Sequence, residues 1–133
     1  MIVHYENTSL KPIHIVHQWT PEYREWLNTQ ADWLEWHDRA SFDEIELLND
    51  NGEVVCRRRQ PIVLDAPATM RVGIESIITG VPQGLQIAIN GVIQGEMDAS
   101  GELAITPSVA GFYRIGFEGS GWITKEITIE ALP

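Results

Sequence analysis

Trp122-Ile123-Thr124-Lys125-Glu126-Ile127-Thr128-Ile129-Glu130-Ala131 reads with a period of two. Thr124, Glu126, Thr128 and Glu130 fall on one side, and Ile123, Lys125, Ile127, Ile129 and Ala131 on the other. Successive side chains of a strand point to opposite faces, so this stretch predicts a strand with one wet and one mostly apolar face. Lys125 alone interrupts the apolar side, which predicts that it sits at a sheet edge. Upstream, Tyr113, Ile115 and Phe117 alternate with Arg114 and Gly116 inside an expected strand from Gly111 to Glu118. Further strands are expected at Ile62–Leu64, Thr69–Ile78, Leu85–Ile89, Val92–Gln94 and Glu102–Thr106. Between them lie Gly80-Val81-Pro82-Gln83-Gly84, Asn90-Gly91 and Asp98-Ala99-Ser100-Gly101. Asn-Gly is a tight hairpin turn, because both residues tolerate positive φ. About seven short strands with regular turn signals predict a sandwich or barrel over residues 61–133.

The N-terminal part, residues 1–60, predicts a β-β-α-β-β module. Ile2–Tyr5 and Pro12–Gln18 flank the turn cluster Asn7-Thr8-Ser9. Thr20 is a natural N-cap and Pro21 suits the first helical position. The helix is expected to run from Pro21 to about Arg39, with Tyr23, Trp26, Leu27, Trp33 and Leu34 on one face. Asn28-Thr29 allows a break, with Thr29 and Asp32 forming the capping box of a second segment. A second hairpin is signalled by Asn51-Gly52 between Ile45–Leu48 and Glu53–Arg57. The fold class is therefore α+β, with a boundary near Gln60-Pro61 and almost no linker.

The 133 residues carry a net charge of −10. That argues against non-specific nucleic-acid binding, which needs a basic face. The basic run Arg57-Arg58-Arg59 reads as a charged strand face that deters unwanted pairing rather than as a phosphate patch. With Cys56 as the one cysteine, no intramolecular disulfide can form, which fits a reducing compartment. Met1-Ile2-Val3-His4-Tyr5-Glu6 has no charged leader and no long apolar run, so neither a signal peptide nor a transmembrane helix is expected.

No pattern of catalytic residues emerges, and the expectation is a protein that is not an enzyme. His14 and His17 lie three apart on an expected strand and point to opposite faces, while His4 and His14 are candidate cross-strand neighbours. No Cys-x-x-Cys or His-Glu-x-x-His spacing supports a metal, and no cofactor is expected. Asp32, Glu35 and Asp38 share one side of the expected helix and read as its solvated face. Aromatic density is the distinctive feature: Trp19, Trp26, Trp33 and Trp36 are four of the five tryptophans. They fill a small core by packing the helix on a sheet, or part of the group, Trp36 and Trp19, anchors a protein partner. Trp122, after Gly119-Ser120-Gly121, is the candidate for stacking on a sugar.

Pro61-Ile62-Val63-Leu64, Ile78-Thr79-Gly80-Val81-Pro82-Gln83-Gly84, Ile87-Ala88-Ile89-Asn90-Gly91 and Ala110-Gly111-Phe112-Tyr113-Arg114-Ile115 together resemble the small Ig-like domain of tailed-bacteriophage tail proteins. Met1–Asn7 and the turn Asn51-Gly52-Glu53-Val54-Val55 are similar to the same proteins. The tryptophan-rich segment departs from the pattern. The resemblance implies an Ig-like antiparallel β-sandwich and a non-enzymatic structural protein associated with the tail fibre, tip or baseplate. It also implies localisation in the virion tail after synthesis in the bacterial cytoplasm, with other tail proteins as partners and an oligomeric state within the tail. Two alternatives accompany it: a host-adhesion module binding surface glycan, and an assembly chaperone absent from the mature virion.

Overall fold

The structure, a computed structural model, describes residues 1–133. Its first hairpin follows from the turn cluster at Asn7-Thr8-Ser9. Strand β1 (Ile2–Glu6) pairs antiparallel with β2 (Lys11–Val16), and His4 faces His14 across the pair. Helix α1 (Pro21–Leu27) follows, then β3 (Trp33–Glu35), which pairs with the other edge of β1. The sheet order is β2-β1-β3. Because β1 is central, consecutive residues Ile2 and Val3 are both fully buried, one on each face.

A short 3-10 turn (Phe42–Glu44) leads into β4 (Ile45–Asp50) and β5 (Glu53–Arg58), a second antiparallel hairpin. Its turn residues Asn51 and Gly52 take φ of 51° and 86°, as the Asn-Gly signal requires. Val3, Ile45 and Leu47 form a core with Leu34, Trp36 and Val54 packed around it. The hairpin therefore lies against the face of the first sheet that Val3 and Leu34 present. Glu46, buried in β4, is ion-paired with Arg57 opposite it on β5.

The long helix does not form. Thr29 directs both its N–H (3.0 Å) and its hydroxyl (2.7 Å) at the Trp26 carbonyl, and Asp32 takes φ of 61° and turns the chain. Thr29 therefore ends the first helix and caps no second one. Residues 33–35 are drawn to the open edge of β1, where pairing outweighs local propensity. The acidic face expected of that helix dissolves with it: Glu35 pairs with Arg24, and Asp38 with Arg58.

Residues Gln60–Pro133 form the second of two compact units, after Met1–Arg59. Their strands are β6 (Thr69–Arg71), β7 (Ser76–Ile78), β8 (Gln86–Ile89), β9 (Val92–Glu96), β10 (Leu103–Ile105), β11 (Gly111–Glu118) and β12 (Lys125–Leu132). One sheet has the order β6-β12-β11-β8-β9, and β10 pairs with β7 in a second. Ile78 and Ile105 of the small sheet share a core with Ile87, Ile115, Phe117 and Ile129 of the large one. The chain as a whole is mostly β, with largely antiparallel strand pairing and one α-helix.

Three expectations are corrected here. Strand pairing is not wholly antiparallel, because β6 joins β12 in parallel. The expected strand Thr69–Ile78 is two strands in different sheets, separated by a turn in which Gly73 has φ of 78°. Ile62–Leu64 is not a strand. Ile62 is buried in irregular chain, and regular pairing there is limited to Asp65 exchanging hydrogen bonds with Thr79. Lys125 does lie at a local sheet edge: β6 covers only Glu130–Leu132 of β12, so at Lys125 the strand is paired on the β11 side alone, and the amine donates to the Ile62 carbonyl at 3.0 Å.

Candidate functional site

Thr20 and Pro21 start α1 as their residue types demand. The Thr20 hydroxyl accepts from the Tyr23 N–H at 3.2 Å, and Pro21 occupies the first turn. The helix is short, so it turns few side chains toward the sheet. Leu27 is fully buried, while Tyr23 and Trp26 border the sheet face that carries His4. The Tyr23 and Trp26 rings lie 5.3 Å apart, and Trp26 lies 6.0 Å from His4. His4 Nε2 and Tyr23 Oη share a 2.6 Å hydrogen bond, and the His14 ring is 5.9 Å away. Burial, and then the neighbouring His14, lower the His4 pKa below 6.5. His4 is thus held neutral beneath the helix at neutral pH.

The four clustered tryptophans do not share one face. Strand alternation sends Trp33 to the α1 side, where Arg24 lies 6.0 Å from its ring centroid and also binds Glu35 at 2.7 Å. Trp36 packs on the opposite side against the second hairpin's core, with the Arg58 guanidinium 5.4 Å from its ring. Trp19 lies between β2 and α1 and is 36% exposed; Trp26 is 48% exposed. Among the tryptophans, Trp26 and Trp19 are therefore the most open to solvent, with Trp33 half-buried beside Arg24. Trp122 is also half-buried. Its ring packs against the second unit's core, and its backbone bridges to Gln60.

The remaining candidates are engaged elsewhere. Arg57 pairs with Glu46; Arg58 pairs with Asp38 at 2.8 Å and Glu44 at 3.3 Å. These cations stitch the first unit together. The Arg39 N–H, and then Arg58, hold the Asp38 carboxyl below its usual range. Burial pushes the Cys56 thiol up to about 11, against the opposing pull of Arg58, so it is a poor nucleophile near neutral pH. His17 lies beyond the end of β2 and is exposed. No three His, Cys, Asp or Glu side chains come together as a metal-binding group. No helix is long and apolar enough to cross a membrane. Sequence reasoning missed the His4–Tyr23 pair, which joins a strand to a helix across 19 residues and has no local signal.

No protein-family model, no curated protein and no solved structure matches the chain.

Proposed function

We propose that this chain is a non-enzymatic structural protein of a bacteriophage tail that docks on another tail protein through its first unit, with Trp26 as the leading anchor and Trp19, just before the helix, as the second. The observation that carries the docking role is Trp26 itself. The residue is 48% exposed, yet its ring lies against Tyr23 and His4. A pre-held aromatic loses little freedom on binding, which is the property of an interface hot spot. Trp33 and Trp36 serve as supports rather than anchors, since each is half-buried beneath an arginine.

The tail assignment rests on the motif resemblance in the second unit. Gly80 (φ 79°) and the Asn90-Gly91 pair (φ 50° and 81°) adopt the turn conformations those motifs need. A five-stranded and a two-stranded sheet sharing one core support the reading of that unit as an Ig-like sandwich, a rigid spacer or decoration domain.

The test is quantitative mass spectrometry of purified particles of the encoding phage, paired with co-purification of wild-type chain and Trp26→Ala from infected cells. A fixed copy number per particle, and loss of a fibre, tip or baseplate protein from the Trp26→Ala eluate, are expected. Absence from particles overturns the virion role. Undiminished capture by a folded Trp26→Ala variant overturns the anchor.

A further inference from the structure

The five-stranded sheet of the second unit ends on β9, whose five residues Val92–Glu96 are all exposed. β9 follows β8 through the two-residue Asn90-Gly91 turn, so Ile89 and Val92 form the hydrogen-bonded pair that closes the hairpin. Pairing alternates along an antiparallel ladder, so the next residue, Ile93, turns its N–H and C=O to the open side. Val92 and Ile93 are 63% and 62% exposed, a costly choice for an edge left to solvent. The first unit's edge strand β2 carries Lys11 and Pro12, both of which deter strand addition. β9 carries neither. Its one irregularity is the bulge that leaves Gln94 unpaired between Ile93 and Gly95.

Beside this edge lies a cavity of about 230 Å3 between β9 and the start of β10. Ile87, Met97 and Leu103 supply its apolar lining, and Glu96, Asp98 and Glu102 its carboxylates. No basic side chain lines it. Asp98 accepts hydrogen bonds from Ser100, whereas no cation pairs with Glu96 or Glu102. The cavity is smaller than the roughly 300–1,000 Å3 typical of small-molecule pockets. An apolar wall under acidic groups fits the aliphatic stem and charged head of a lysine or arginine.

We propose that β9 and this cavity accept an extended basic segment of another protein, which adds as a strand to the sheet and places a lysine or arginine side chain among Glu96, Asp98 and Glu102. In this mode main-chain hydrogen bonds supply affinity, and a side-chain pocket beside the edge supplies specificity. Charge selects the occupant: a second copy of a chain with net charge −10 would bring more acid to an acidic site. This surface is separate from the tryptophans of the first unit and does not rest on their role.

The test is selection from a displayed library of random short peptides on the full chain, followed by anisotropy titration of the enriched sequences as labelled synthetic peptides. Enriched peptides should carry lysine or arginine with β-branched neighbours. They should bind Glu96→Gln/Glu102→Gln about tenfold more weakly, as the loss of a charge-assisted contact predicts. Ile93→Pro removes the outward N–H and should abolish binding. Because that variant can perturb the hairpin, Ile93→Lys, an exposed substitution that deters strand addition, is measured beside it. No enrichment of basic peptides, or unchanged binding to Ile93→Lys, overturns the proposal. So does a concentration-dependent dimer of wild-type chain that Ile93→Lys dissolves, because it makes a second copy the occupant.

Discussion

At the scale of single residues, Gly80 and Gly84 separate two reasons for glycine. Both have positive φ, 79° and 85°. A Cβ at Gly84 meets nothing within 4 Å, whereas one at Gly80 would lie 2.7 Å from the Val63 carbonyl oxygen. Gly84→Ala should cost about 1–2 kcal/mol, the left-handed penalty for an L-residue. Gly80→Ala should cost more, because backbone must shift as well. Urea denaturation of the two variants checks the ranking, and equal losses would refute the close approach. Cys56 gives a second prediction at this scale. With its thiol pushed up to about 11, alkylation by iodoacetamide at pH 8 should be far slower than for an exposed cysteine, and should match it once the chain is unfolded.

At the scale of elements, α1 is the informative case. Seven residues are too few to hold a helix in water alone, so it depends on its cap and on the sheet beneath. Thr20→Ala removes the bond to the Tyr23 N–H and should cost the first unit about 1 kcal/mol, read from the urea midpoint by near-UV dichroism. The same packing sets a pH dependence. The His4 pKa is lowered in the folded chain, so the unfolded chain binds the proton more readily. The stability this group contributes is complete above its ordinary pKa of 6.5 and is lost as pH falls below that toward the folded value. Tm should therefore fall between pH 7.5 and 5.5, and His4→Gln should flatten that slope; an unaltered slope would place its origin in other groups.

At the scale of the whole molecule, the second unit begins and ends at neighbouring strands. β6 is its first strand and β12 its last, and they pair with Thr69 opposite Glu130. Its hydrophobic core draws on both of its sheets and is built from its own residues between Ile62 and Ala131. Residues 60–133 should therefore fold when expressed alone, giving a dispersed amide spectrum and one cooperative melt. A collapsed spectrum would show that residues 1–59 are required.

What could be read from sequence was whatever is encoded within a few residues. Asn51-Gly52 and Asn90-Gly91 demand positive φ and so place both hairpins; Thr20-Pro21 places a helix start. The alternation of Ile127, Ile129 and Ala131 places the inner face of β12. The tryptophans of the candidate site were legible by type, but their exposure was not. Trp33-Leu34-Glu35 satisfies a helical stripe as well as a strand, and the free edge of β1 decided between them. That choice set Trp33 and Trp36 on opposite sides and left Trp26 at the surface. The parallel β6–β12 pair and the His4–Tyr23 bond were likewise invisible, because each joins segments distant in the chain. Turn chemistry is local and written in the sequence; which edge a strand finds, and which face is then covered, is settled only by what else the folded chain brings alongside.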